Sequence, residues 1–234
     1  MPHLPIIEDL TTQPIPSGTN ILVEFEPTSQ WYNASLTIAA GWLRTGGSIS
    51  YNTYSQPPEN VRNQLRRLGL KVEELETSEQ LRIIDWYTAS LGQKSNEKIA
   101  TNSLKIADLS IDFAKTQLTG PPIPERIRIS ENVSELARFN DEKSWVEFAL
   151  TRGLPMARVR KSTAISGRMV GIHSDWAIRQ IEGATDCIVD FKLEERSKGE
   201  TIDITRIRSA RNVPFVKGWH RLKIAENFEV TLEK

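Results

Sequence analysis

The sequence predicts an α/β protein, with a mostly parallel sheet flanked by helices on both faces and antiparallel hairpins at its C-terminal end. Two observations predict it. From Ile21 to Glu182, short apolar runs of strand length alternate with stretches whose apolar residues recur every three or four positions. Parallel strands joined by right-handed helical crossovers are the arrangement that buries both faces of such strands. After Gly183 the helical spacing stops, and four strand-like runs follow, as in hairpins added to a sheet edge. The 234 residues suit one large domain over 1–234, with a proline-rich lead-in over 1–19.

Each element has a local reason. Ile21 to Glu26 is the first strand. Ser29 to Leu43 places Trp31, Ala34, Ser35, Ile38, Ala39 and Trp42 on one helical face, with Thr28 or Ser29 as the expected cap, and Gly46-Gly47 stops it. Ile49 to Thr53 is the second strand. Pro57 and Pro58 open a helix that runs through Leu68 and ends at Gly69. Leu81 to Tyr87 is the third strand, and a helix is expected over 96–117 before the Gly120-Pro121-Pro122 break. Arg126 to Glu131 alternates Arg and Ile, which fits a half-exposed strand or a central one with an arginine where it begins. Asp141 to Arg158 is helical, capped by Asn140 or Asp141. Ser162 to Gly167 is a strand and Asp175 to Glu182 a short helix. The last strands are Cys187 to Glu194, Thr201 to Arg208, Trp219 to Ile224 and Phe228 to Leu232.

Composition excludes several function classes. Thirty basic and thirty acidic residues cancel, so nothing global favours nucleic acid or an acidic membrane surface, and any such face has to be local. No apolar run approaches the roughly 20 residues that cross a bilayer, and the N-terminal residues do not read as a charged leader before an apolar core. A cytoplasmic protein with no membrane partner is expected. Cys187, the single cysteine, lies in an apolar run and reads as a small buried hydrophobe. His3, His173 and His220 are widely separated and make no metal site; His173 reads as a hydrogen-bonded turn residue.

The first strand-turn-helix unit is the informative stretch. A phosphate-binding loop has the form G-x-x-x-x-G-K-[ST], whose glycines let the backbone wrap a phosphate while the lysine reaches the outer phosphates and the hydroxyl holds magnesium. The corresponding eight positions here are Phe25, Glu26, Pro27, Thr28, Ser29, Gln30, Trp31 and Tyr32. Phe25 and Gln30 stand for the glycines, Trp31 for the lysine, and Tyr32 for the hydroxyl residue. The loop reads as degenerate.

Four stretches together resemble the KaiC/RadA-like branch of the RecA ATPase superfamily, the archaeal single-domain kind in particular. They are Leu22-Val23-Glu24-Phe25-Glu26-Pro27, then Pro58 to Gly69, then Leu81 to Tyr87, and finally Ala184 to Asn212 with Asp190-Phe191-Lys192-Leu193 and Arg206-Ile207-Arg208-Ser209-Ala210-Arg211-Asn212. The resemblance implies a RecA-like P-loop NTPase fold. Members of that family hydrolyse ATP with magnesium, but the departures fall on the catalytic positions. Tyr54-Ser55-Gln56 offers no carboxylate where the family has its water-activating acid. Glu131 is the nearest match to the acidic residue that ends a later strand, and it reads either as a metal-holding residue or as a capping one. The family assembles as rings or filaments in which a basic residue reaches the neighbouring subunit's nucleotide, a place that Arg211 fits best and Arg208 adjoins; a solvated strand face is the other reading of both. Arg158, Arg160 and Lys161 form a local cluster for a nucleic-acid backbone, or a solvated helix end.

The expectation is therefore a pseudo-ATPase without cofactor, acting as a structural or regulatory partner as a homo-oligomer or beside an active RecA/KaiC-like paralogue. A surviving ATPase using ATP and magnesium, or a single-stranded DNA-binding factor in recombination and repair, are the alternatives.

Overall fold

The computed structural model describes residues 3–111, 126–196 and 199–233. Among these residues nine strands form one sheet in the order β3-β2-β4-β5-β1-β6-β7-β8-β9. They are β1 (Asn20–Phe25), β2 (Ser48–Thr53), β3 (Leu81–Asp85), β4 (Arg126–Ser130), β5 (Ala164–Met169), β6 (Cys187–Glu195), β7 (Thr201–Ala210), β8 (His220–Ile224) and β9 (Val230–Leu232). β1 to β6 are mutually parallel, and β6 to β9 pair antiparallel in sequence order. The mostly parallel sheet with C-terminal hairpins is the architecture expected from the sequence.

The alternation of side chains along the strands divides the core in two. Ile21, Val23, Tyr51, Ile129 and Ile165 pack with α1 (Trp31–Arg44) and α2 (Pro58–Arg67). Leu22, Tyr54 and Ile84 pack on the other face with α5 (Glu142–Phe148) and α7 (Asp175–Ala184). β4 lies between β2 and β5. It is therefore the central alternative of the two open for Arg126 to Glu131, with Arg126 half-buried where the strand begins.

Several elements depart from expectation. A six-residue helix, α3 (Val72–Thr77), follows Gly69 and was not foreseen; its amphipathic signal is one buried residue, Val72. α4 (Tyr87–Ser90) is a single turn that ends β3 at Asp85. The expected helix over 96–117 begins only at residue 106. Residues 95–101 are instead tied to the end of β3: Asp85 and Ala100 form a bridge, the Asp85 amide donates to Ile99 O at 3.1 Å, and Ser95 Oγ donates to the Asp85 carboxylate. The part of that helix over 112–117, and the break over 120–124, lie outside the described residues.

The helix expected from Asp141 is interrupted. α5 passes through a π-turn, Ala149–Gly153, into α6 (Leu154–Arg160). Pro155 explains the wider turn, because it has no N–H to donate and its ring would strike the carbonyl four residues back in regular helix. Asp141 is the cap, accepting the Ser144 amide at 2.9 Å. Asn140 instead holds the 104–106 segment through Leu104 O and the Ile106 amide.

The lead-in is part of the core. Leu4, Ile6, Ile7 and Leu10 are all at most 2% exposed, and the Pro5 ring lies against Gly41 of α1 so closely that a Cβ there would overlap it. Thr12 N donates to Pro214 O and Val216 N to Leu10 O, so the lead-in also clasps the segment between β7 and β8.

Candidate functional site

The turn from β1 into α1 sits at the carboxyl ends of the parallel strands, between β5 and β6. Phe25 O accepts the Val170 amide at 2.9 Å from the β5 side, and Glu26 N donates to Phe191 O at 3.0 Å on the β6 side. The Glu26 carboxylate accepts the Leu193 amide at 3.1 Å. Both the amide and the hydroxyl of Ser29 return to Glu26 O, at 3.0 and 2.8 Å, closing the turn. Pro27 and Thr28 form its exposed tip.

Neither Thr28 nor Ser29 caps α1, contrary to the sequence-based expectation. Ser29 is spent on Glu26, and Gln30 precedes the helix with no side-chain cap bond. A helix start leaves donors without intrahelical partners and carries partial positive charge. Here the Asp203 carboxyl of β7 lies near the Gln30 amide, which lowers its pKa, but burial outweighs this and holds it above the ordinary value. Asp203 Oδ1 is buried without a hydrogen-bond partner.

Trp31 opens α1 and points into the protein, 2% exposed. Its indole N–H donates to Glu131 O at 2.6 Å, and its ring lies 6.3 Å from Phe25 and 5.4 Å from Phe191 between centroids. Gly167 of β5 makes room for it, since a Cβ there would overlap both the indole nitrogen and Glu131 O. Tyr32 has a buried hydroxyl without a partner; burial, then the nearby Glu131 charge, pushes its phenol well above the ordinary value.

Glu131 follows β4 and is 3% exposed. One oxygen accepts the Tyr54 and Ser55 amides at 2.7 and 2.6 Å, and the other accepts Ser55 Oγ at 2.7 Å. Three donors pull its pKa down, but burial outweighs them and leaves it raised. The side chain thus ties the β2 exit to β4.

Sequence reasoning missed an ion cluster beside this turn, buried at Glu24, Arg168 and Asp190 and open to solvent at Arg206, Arg208 and Glu182. Arg168, 1% exposed, donates to Glu24, and its Nε and Nη1 are buried without partners. Glu24 also meets Arg208 at 2.7 Å, and Arg208 reaches Glu182 at 2.6 Å and Asp190 at 3.5 Å. Arg206 pairs with Asp190 at 2.8 Å and lies over the Trp219 ring. The polar residues inside otherwise apolar strand runs, Glu24, Arg168 and Asp190, were the available signal. Nearby His173 stacks on Trp145 at 4.1 Å and meets Ser134 Oγ at 3.2 Å; burial, then the Arg168 charge, lowers its pKa.

The remaining sequence candidates lie apart from the turn. Arg208 is exposed yet tied into the ion cluster, and Arg211 is also exposed, its amide donating to Asp186 O. Arg158 bonds Asp186 at 2.8 Å and Ala184 O at 3.3 Å. Arg160 and Lys161 end α6, and Lys161 adopts the left-handed φ of 51°. Cys187 is buried, which pushes its thiol up to about 12. No group of three or more potential metal ligands occurs among the described residues, and no helix there is long and apolar enough to cross a membrane.

No protein-family model matches the chain, and no curated protein sequence does. Solved structures do. A KaiC-like protein from the hyperthermophilic archaeon Pyrococcus horikoshii OT3 superposes with a TM-score of 0.74 at 14% identity, covering 100% of this chain and 97% of that one. The flagellar accessory protein FlaH from Methanocaldococcus jannaschii gives 0.71 at 14% identity, covering 97% and 95%. The chain therefore has the RecA-like α/β fold of these KaiC-like and FlaH proteins over essentially its whole length.

Proposed function

We propose that this protein is a non-catalytic member of the RecA-like fold, a pseudo-ATPase that works as a structural or regulatory interaction partner in the cytoplasm. The observation that carries the reading is the buried Trp31 indole, wedged between Phe25 and Phe191 and hydrogen-bonded to Glu131 O. Phosphoryl transfer in this fold depends on positioned backbone amides, a cation and magnesium around the phosphates. The residues present do not fit a magnesium triphosphate. The Asp203 carboxyl of β7 lies beside the Gln30 amide at the helix start, where a phosphate would have to approach. The Glu131 oxygens are engaged by three donors rather than facing an open metal position.

Two features support an interaction role, by self-association or with an active RecA/KaiC-like paralogue. Val170, Ile172 and Trp176 are 46%, 51% and 50% exposed within one short segment after β5, a concentration of apolar surface that marks contact sites. The exposed Arg211 lies three residues beyond Arg208, which is tied into the ion cluster. Arg158, in contrast, is already paired with Asp186, which favours this reading over a nucleic-acid-binding one.

Calorimetric titration of the full chain with magnesium and ATP, together with a phosphate-release assay, tests the proposal. No heat of binding and no release are expected. A micromolar dissociation constant, or turnover above that of buffer, would overturn it.

A further inference from the structure

At the amino ends of β4 and β5, on the side of the sheet that carries α1, a pocket of about 180 Å³ lies between the lead-in and the strands. Leu4 and Ile15 of the lead-in, Trp42 of α1 and Ile127 of β4 make its walls apolar. Two cations reach it from different elements, Arg126 where β4 begins and Lys161 where α6 ends, and Glu8 is the one acid among the residues that line it. Pro14, Ser17 and Lys161 are exposed, so the pocket opens to solvent along that rim. An apolar pocket with a few convergent polar groups is the form that small-molecule sites take.

The charges around this pocket are unevenly matched. Arg126 donates from Nη1 to Ser50 Oγ at 3.3 Å and from Nη2 to Glu79 O, both neutral acceptors, and its Nε is buried without a partner. A guanidinium has more N–H donors than these two bonds use. The Glu79 carboxylate, whose field favours the charged form of Arg126, is committed to Arg82 at 2.7 Å and Lys98 at 3.1 Å. Burial, followed by the Arg82 charge, holds the Arg126 pKa down at about 10. Lys161 stands on a left-handed turn whose carbonyl accepts Ser17 Oγ, and its ammonium has no ion pair among the described residues. Glu8 is already engaged: its oxygens accept the Leu4 and Ile15 amides, each at 2.7 Å, and one of them meets His3 at 3.2 Å. A cation without its own acid, set in partly dry surroundings, favours an anion, and the planar guanidinium matches a carboxylate in particular.

We propose that this pocket binds a small aromatic carboxylate, with its oxygens on Arg126 and Lys161 and its ring against Leu4, Ile15 and Ile127. The volume sets the size: an apolar cavity of about 150 Å³ takes benzene, so one of about 180 Å³ admits a ring with its carboxylate, about nine heavy atoms, as in benzoate. Such a ligand bridges the lead-in to β4 and to the end of α6. The pocket lies at the opposite end of the strands from the β1–α1 turn and does not depend on how that turn is read.

The test is thermal unfolding of the full chain with increasing sodium benzoate, against sodium acetate, benzamide and sodium chloride at equal concentrations. A ligand that binds only the native state raises Tm in a saturable way. Benzoate should do so. Acetate, which lacks the ring, and benzamide, which lacks the charge, should each be at least tenfold weaker, and sodium chloride should have no effect. Lys161→Gln changes an exposed side chain and should weaken the benzoate response at least fivefold; Arg126→Gln should abolish it. The proposal is overturned if benzoate gives no saturable rise, if acetate or the amide matches it, or if either folded variant keeps the full response. The comparison of ligands uses the unmodified protein and decides the matter even if Arg126→Gln does not fold.

Discussion

The Trp31 indole touches Phe25 on one side and Phe191 on the other, bonds Glu131 O at its edge and rests on the bare Cα of Gly167. Removing a buried aromatic of this size costs about 3–5 kcal/mol, partly as transfer free energy and partly as cavity. Trp31→Ala should lose that much in urea unfolding, a loss larger than any turn residue on an exposed loop would give. Asp203 makes a second residue-scale case, in which pH gives the sign. Burial raises its carboxyl above the ordinary value of about 3.9. The native state then prefers the protonated form, and stability is lost as pH rises from the unfolded value through the raised native one. Asp203→Asn keeps a polar side chain of the same size and cannot ionise. It should be more stable than the parent at pH 7, with the gap closing below about pH 4, as read by denaturation curves across that range.

At the scale of elements, the lead-in shows what pattern reading reaches and where it stops. Its four buried residues over 4–10 have neither helical nor strand period, because a short 3-10 turn, Glu8–Leu10, and the Pro5 ring place them. Nothing in their spacing distinguishes a clasp from a loose tail. Gly41→Ala would force the Pro5 ring off α1. It should destabilise the protein by about 1–3 kcal/mol as an overpacked contact does, and limited proteolysis should then cut within the lead-in first. The regular elements were legible because β1, β2, β4 and β5 carry unbroken apolar faces and α1 carries a full helical stripe. The start of the 106–111 helix was not, since it depends on the distant Asp85 bridge. The same limit applies to the candidate turn. Trp31 announced that lysine chemistry was gone, but the acid that meets the helix start is 170 or so residues away on β7. Only the topology brings it there. Gly167 was the one readable hint of a close approach, a glycine inside an apolar strand run.

For the whole molecule, the zero net charge conceals a locally organised set of ion pairs. Six charged side chains from β1, β5, β6, β7 and α7 neutralise one another around Glu24 and Arg208, and this pairing leaves the apolar segment after β5 as the more conspicuous outer feature. If that segment seats a partner or a second copy, Trp176→Asp should shift the particle to lower mass in light scattering while leaving the unfolding midpoint unchanged, because the residue is half-exposed.

The position of β1 also governs how the chain comes into being. It is made before the other strands of this sheet, yet both of its neighbours, β5 and β6, lie far down the sequence at Ala164–Met169 and Cys187–Glu195. Synthesis at roughly 5–20 residues per second leaves about 10–30 s during which Ile21, Leu22 and Val23 have emerged with two open edges. Throughout that interval the nascent chain presents an unpaired apolar strand, the species that ribosome-associated chaperones shelter, and the sheet closes only when its last third has been translated.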